Sequence, residues 1–91
     1  MANVIITLKI MPTSPEEDLG EVENKAKELI EADSGHVHKV DIQPVAFGLK
    51  SVNIIFVKDE SKGSTEELED KIAELEQVSG VEVTDVRRAV G

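Results

Sequence analysis

Apolar residues recur along this chain with two periods, and the switches between them mark out six elements. From Asn3 to Met11 the pattern is that of a strand: Val4, Ile6, Leu8 and Ile10 share one face and Ile5, Thr7, Lys9 and Met11 the other. Ile5 makes the second face partly apolar, which suits a central strand, and Pro12 ends the pairing because it has no N–H. The period then lengthens. Leu19, Val22, Ala26, Leu29 and Ile30 form one stripe at helical spacing. Ser14-Pro15-Glu16-Glu17 reads as the start of that helix, with Ser14 as N-cap and Glu17 closing a capping box. Gly35 stops it. His36 to Gln43 alternates cleanly, His38, Val40 and Ile42 against Val37, Lys39, Asp41 and Gln43, as an edge strand does. Leu49 to Lys58 is almost continuously apolar through Val52-Asn53-Ile54-Ile55-Phe56-Val57, a strand covered on one face and partly on the other. Ser64-Thr65-Glu66-Glu67 repeats the helix-start signal. Leu68, Ile72, Leu75 and Val78 mark the inward side of the second helix, which Gly80 ends. Val81 to Thr84 alternates as a fourth strand, and the alternation breaks at Asp85-Val86, where a bulge or the strand end is expected.

Strand, helix, strand, strand, helix, strand is the order of a ferredoxin-like α+β domain. Right-handed crossovers put the first and third strands in the centre of an antiparallel sheet of order 4-1-3-2, with both helices on one face. Ile5, Thr7, Ile55 and Val57 then lie on the uncovered face, as apolar residues on a surface suited to docking.

Composition narrows the function. The chain has 91 residues, enough for a single domain spanning 1–91 with one modest core. A formal net charge of −9 disfavours nucleic acid as a direct partner and favours basic protein surfaces. Cys is absent, which removes disulfides, thiolate metal sites and cysteine nucleophiles, and fits a cytoplasmic protein. No signal peptide and no run long enough to span a membrane is read. His36 and His38 could pair on a metal but lack a third ligand nearby. Thr84-Asp85 reads as a turn or cap rather than as an acid–hydroxyl pair. A phosphate loop, paired cysteines, a Ser-His-carboxylate set and the stacked aromatics of an RNA-binding sheet are all missing. A binding or regulatory role without covalent chemistry and without a cofactor is left.

One connection departs from the usual polar turn. Gln43-Pro44-Val45-Ala46-Phe47-Gly48-Leu49-Lys50 joins the two middle strands and is mostly apolar. Pro44 stiffens its entry and Gly48 lets the backbone turn. Phe47 and Phe56 are the only aromatic residues of the chain. Phe47 can fold back as a plug under the sheet. It can also stand out as a recognition knob, the sharper reading.

Together with Ile10-Met11-Pro12 and Val83-Thr84-Asp85-Val86-Arg87-Arg88, this corner resembles the archaeal elongation factor 1-beta family, in register over essentially the whole chain. It is similar also to the C-terminal exchange domain of the eukaryotic factor. The resemblance implies a ferredoxin-like fold and guanine-nucleotide exchange on elongation factor 1-alpha, through a partner-binding set of Pro44, Phe47, Gly48, Lys50, Arg87 and Arg88. Eukaryotic relatives direct a lysine near their C-terminus at the Mg²⁺ site of the GTPase. This sequence ends Arg88-Ala89-Val90-Gly91 and has no terminal lysine, so Arg87 or Arg88 is left to supply a cation, although arginine is no simple substitute. The alternative on the same fold is a small-ligand regulatory module, which needs a glycine-lined pocket that the sequence does not offer. An acyl phosphate hydrolase needs an arginine loop where this chain has Pro12-Thr13-Ser14-Pro15.

Overall fold

The computed structural model describes residues 3–33, 35–59 and 65–89. Its elements are β1 (Asn3–Pro12), α1 (Leu19–Ala32), β2 (His36–Pro44), β3 (Lys50–Asp59), α2 (Glu66–Ala73) and β4 (Val78–Ala89), with a 3₁₀ turn at Ala46–Gly48. The sheet is antiparallel with order β2-β3-β1-β4. The two strands that are apolar on both faces therefore lie inside and the alternating ones at the edges, as the ferredoxin-like reading requires.

Alternation on the central strands builds the core. Ile6, Leu8 and Ile10 of β1 and Val52, Ile54 and Phe56 of β3 are buried against Val22, Ala26 and Ile30 of α1 and Leu68 and Ile72 of α2. Full burial of such side chains contributes about 1.5–3 kcal/mol each before entropy is set against it. Lys58 also enters this layer, 2% exposed, and its Nζ donates to Asp33 Oδ2 at 2.6 Å, tying the end of α1 to β3. The ion pairs Glu21–Lys25 and Glu23–Lys27 decorate the outer side of α1. The opposite sheet face is uncovered, with Ile5, Thr7, Ile55 and Val57 half-buried on it. No helix among the described residues is long and apolar enough to cross a membrane.

Local signals were displaced in four places. Helix α1 starts at Leu19, and its N-cap is Asp18, whose Oδ1 accepts from the N–H groups of Gly20 and Glu21 at 3.0 and 3.3 Å. Ser14 and Glu17 form a preceding turn instead, closed by a Glu17 N–H to Ser14 carbonyl bond of 3.3 Å. The Thr13 N–H donates to the Gln77 carbonyl at 2.9 Å, so the chain leaving β1 is still held at the sheet, and residues 13–17 are needed to climb to the helix layer.

In β2 the register shifts between Val37 and Lys39, leaving His38 as the extra residue of a bulge. Val37 then stands opposite Phe56 and Val40 opposite Ile54, so both pack on the core instead of on opposite faces. Helix α2 ends at Ala73, well before Gly80. Leu75 packs beneath the turn that follows, and Val78 is already the first residue of β4, opposite Pro12. In β4 the expected irregularity falls at Thr84, one residue ahead of Asp85-Val86, and the strand continues to Ala89.

The Ser64 cap lies outside the described residues. Thr65 is the N-cap residue, without a side-chain capping bond, and its hydroxyl donates to Glu69 Oε2 at 3.1 Å.

Gly35 is required for space. A Cβ there would stand 2.8 Å from Ile30 Cγ2 and 3.2 Å from Phe56 Cδ2, both in the packed core.

Candidate functional site: the β2–β3 corner

Strands β2 and β3 pair down to Pro44 opposite Lys50, and residues 45–49 make the turn. The Val45 N–H donates to the Leu49 carbonyl at 2.7 Å, and the Leu49 N–H donates to the Ala46 carbonyl at 3.3 Å. Two consecutive residues reverse the chain in left-handed backbone, Phe47 with φ 62° and Gly48 with φ 76°. Gly48 adopts this without strain. An added Cβ would meet nothing within 4 Å, so the glycine is needed for its backbone and not for room. For Phe47 the conformation costs about 1–2 kcal/mol.

The ring gains nothing from the fold in return. Phe47 is 94% exposed, which rules out the core plug. A strained backbone holding a bare aromatic ring makes Phe47 a candidate docking anchor, because a buried ring contributes a large apolar contact area. Pro44 and Lys50 close the stem below it, both exposed. Val45 and Leu49 are half-buried and flank the ring.

The arginines lie elsewhere. Arg87 stands opposite Ile5 and Arg88 opposite Val4 on β4. In the same rows of the sheet come Val57 and Lys58, at the end of β3 away from the corner. At ~3.3 Å per residue along a strand and ~4.8 Å between strands, Arg87 is roughly 25 Å from the stem at Lys50. Pro44, Phe47, Gly48 and Lys50 thus lie together at the corner, whereas Arg87 and Arg88 belong to the other end of the sheet and the opposite edge. Arg87 Nε also donates to Asp85 Oδ2 at 2.9 Å, so its charge is already partnered on the surface.

His36 pairs opposite Val57 and His38 occupies the bulge, both exposed. Among the described residues no cluster of three or more His, Asp or Glu is arranged around a common point that could hold a metal ion.

Two polar residues behind the corner escaped the sequence reading. Ser51 is 1% and Asn53 9% exposed. Asn53 Nδ2 donates to Ser51 Oγ at 3.0 Å, and the Ser51 hydroxyl donates to the Gln43 carbonyl at 3.4 Å. The available signal was two small polar residues interrupting an otherwise apolar central strand.

Comparison with known proteins bears on this arrangement. A family model described as the EF-1 guanine nucleotide exchange domain matches residues 5–89. The chain is 41% identical to elongation factor 1-beta of Methanothermobacter thermautotrophicus, over 97% of this chain and 98% of that one. It is 42% identical to the protein of the same name from Methanosphaera stadtmanae, over 97% and 98%. With that from Methanocaldococcus jannaschii it shares 36%, over 98% and 100%. Among solved structures, the C-terminal domain of the MgtC protein from Mycobacterium tuberculosis superposes with a TM-score of 0.65 at 10% identity, over 97% of this chain and 88% of that one. The ACT domain from GTP pyrophosphokinase of Chlorobium tepidum gives 0.59 at 20% identity, over 89% and 97%. At such identities these two speak for the fold alone.

Proposed function

The chain belongs to the family of EF-1 guanine nucleotide exchange domains and acts as a guanine-nucleotide exchange factor in translation elongation, and on that premise we propose that it engages the GTPase elongation factor 1-alpha through the Pro44–Lys50 corner, with Phe47 as the anchoring ring. The observation that carries this reading is the 94% exposure of Phe47 in left-handed backbone.

Exchange of this kind needs no covalent step. The factor binds the nucleotide-free GTPase more tightly than the GDP-bound one. Linkage then obliges GDP to bind the complex more weakly by the same factor. Contacts between Mg²⁺ and the phosphates hold much of the nucleotide's charge, so they are the part of the GTPase whose disturbance releases it. Arg87 and Arg88 are this chain's candidates for a cationic contact, and an interface that includes them together with Phe47 extends beyond the roughly 25 Å that separate Arg87 from the stem at Lys50. The net charge of −9 argues for direct contact with protein and against direct contact with RNA, and the setting is the cytoplasm, where elongation runs.

Release of labelled GDP from elongation factor 1-alpha tests the reading. The native chain accelerates release, and Phe47→Ala weakens the productive complex by about 2 kcal/mol or roughly 30-fold in the factor concentration required. A Phe47→Ala chain as effective as the native one, at the same folded concentration, refutes the assignment of the corner.

A further inference from the structure

The uncovered sheet face is open to solvent at Ile5, Thr7, Ile55 and Val57, yet on that same face Ser51 is 1% and Asn53 9% exposed. Both lie at the corner end of the sheet. Ser51 stands opposite Gln43, in the pair directly before Pro44 and Lys50 close the turn. Asn53 stands between Asp41 on β2 and Lys9 on β1. The Ser51 hydroxyl has one proton, which goes to the Gln43 carbonyl, so its oxygen is left to accept the Asn53 amide. The result is a short directional chain from the middle of β3 to the backbone of β2.

That chain ties β3 to the edge strand beside the corner. β2 is an edge strand, loosened by the bulge at His38 and leaving the sheet at Pro44. Beyond it, two backbone bonds close a turn whose apex residue is strained and bare. A ring presented on such a turn docks well only if its stem does not move, because ordering a mobile stem on binding subtracts from the affinity. Central strands ordinarily fill such positions with β-branched or aromatic side chains. A serine and an asparagine bonded in series supply a fixed stem geometry instead.

We propose that Ser51 and Asn53 are positioning residues for nucleotide exchange, holding the β2–β3 stem so that Phe47 is presented in its docking pose. This rests on the reading of Phe47 as the contact with the GTPase. Neither side chain touches the partner in this scheme. They act on the affinity of the encounter through Phe47 and leave the maximal rate of GDP release alone.

Labelled-GDP release from elongation factor 1-alpha, titrated with the full chain at equal folded concentration, tests this with Ser51→Ala, Asn53→Asp and Phe47→Ala. Asn53→Asp keeps the size and loses the donor, and so provides a second variant if Ser51→Ala folds poorly. Each stem variant is expected to raise the half-saturating factor concentration about fivefold, the size of one modest hydrogen bond, with the maximal rate unchanged. The core variant Ile6→Val lowers the melting temperature and leaves half-saturation where it was, which a merely structural role for Ser51 would also do.

The decisive arm is the double variant. If the stem works through the ring, adding Ser51→Ala or Asn53→Asp to Phe47→Ala produces no further loss. Full additivity overturns the proposal, as does an unchanged half-saturation in both single stem variants. If those stem variants are silent while Phe47→Ala is impaired, this proposal alone falls. If Phe47→Ala is itself unimpaired, the reading of the corner falls and takes the proposal with it.

Discussion

The two aromatic rings of this chain sit on one hairpin and meet opposite fates. Phe56, in the middle of β3, is fully buried beneath the helices, opposite Val37 and beside the close approach of Gly35. Phe47, at the turn that leads into the same strand, is 94% exposed. Strand periodicity accounts for the first: Phe56 follows Val52 and Ile54 on the covered face, and ordinary burial rewards it. Nothing within the fold accounts for the second. Its backbone is strained, its ring is wet, and a polar residue would serve a turn better. A feature that only lowers the stability of the isolated domain fits the docking role proposed for it. The contrast separates what this hairpin contributes to folding from what it is proposed to contribute to recognition.

Substitutions can break or sharpen that contrast. The largest effect is expected of Phe56→Ala, which leaves a cavity in the packed layer and should lower stability by about 3–5 kcal/mol in chemical denaturation. A loss below ~1 kcal/mol would mean that the two rings are not opposites. Phe47→Ala should leave the melting temperature nearly unchanged while exchange becomes clearly less effective; a molten Phe47→Ala chain with normal exchange per folded molecule would reverse the roles. Gly35→Ala should destabilise by about 1–3 kcal/mol, because the new methyl meets Ile30 Cγ2 at 2.8 Å and the Phe56 ring at 3.2 Å. Asp18→Ala removes the cap of the helix that roofs the core and should cost about 1 kcal/mol, seen in thermal melts, without altering exchange at equal folded concentration. The smallest functional effect is expected of Arg87→Ala combined with Arg88→Ala, a less than ~10-fold slowing of release that disappears at high salt, as for exposed charges at a rim. A larger, salt-independent loss would place a second anchor at the far end of the sheet.

Much of this architecture is legible in the sequence because it follows from burial. Ile5 and Ile55 make β1 and β3 apolar on both faces, which alone puts them in the centre. The errors share a physical cause. Ser14-Pro15-Glu16-Glu17 carries a sound local capping signal, but the Thr13–Gln77 bond holds the chain at the sheet and postpones the helix to Asp18, whose own spacing to Glu21 fits the same pattern. The alternation across His36 to Gln43 is regular on paper; a single unpaired residue at His38 reverses its phase, and partner strands, not local sequence, decide where a bulge forms. Val78 has the right spacing for the inner face of a helix and serves equally well as an inward-facing strand residue, because apolar character does not distinguish the two. In the candidate site, the apolar composition between Pro44 and Gly48 announced an unusual turn. The left-handed backbone of Phe47 and the Ser51–Asn53 chain were not readable, since both arise from the closure of the hairpin rather than from any one residue.

The pairing of β1 with β4 sets Asn3 opposite Ala89, nearly the full span of the chain. A ribosome making this protein therefore releases its N-terminal strand long before that strand can find its second neighbour. Until residues 78–89 have emerged, β1 has an uncovered edge and the sheet lacks one of its borders. Contacts this distant in sequence are the slow ones to close.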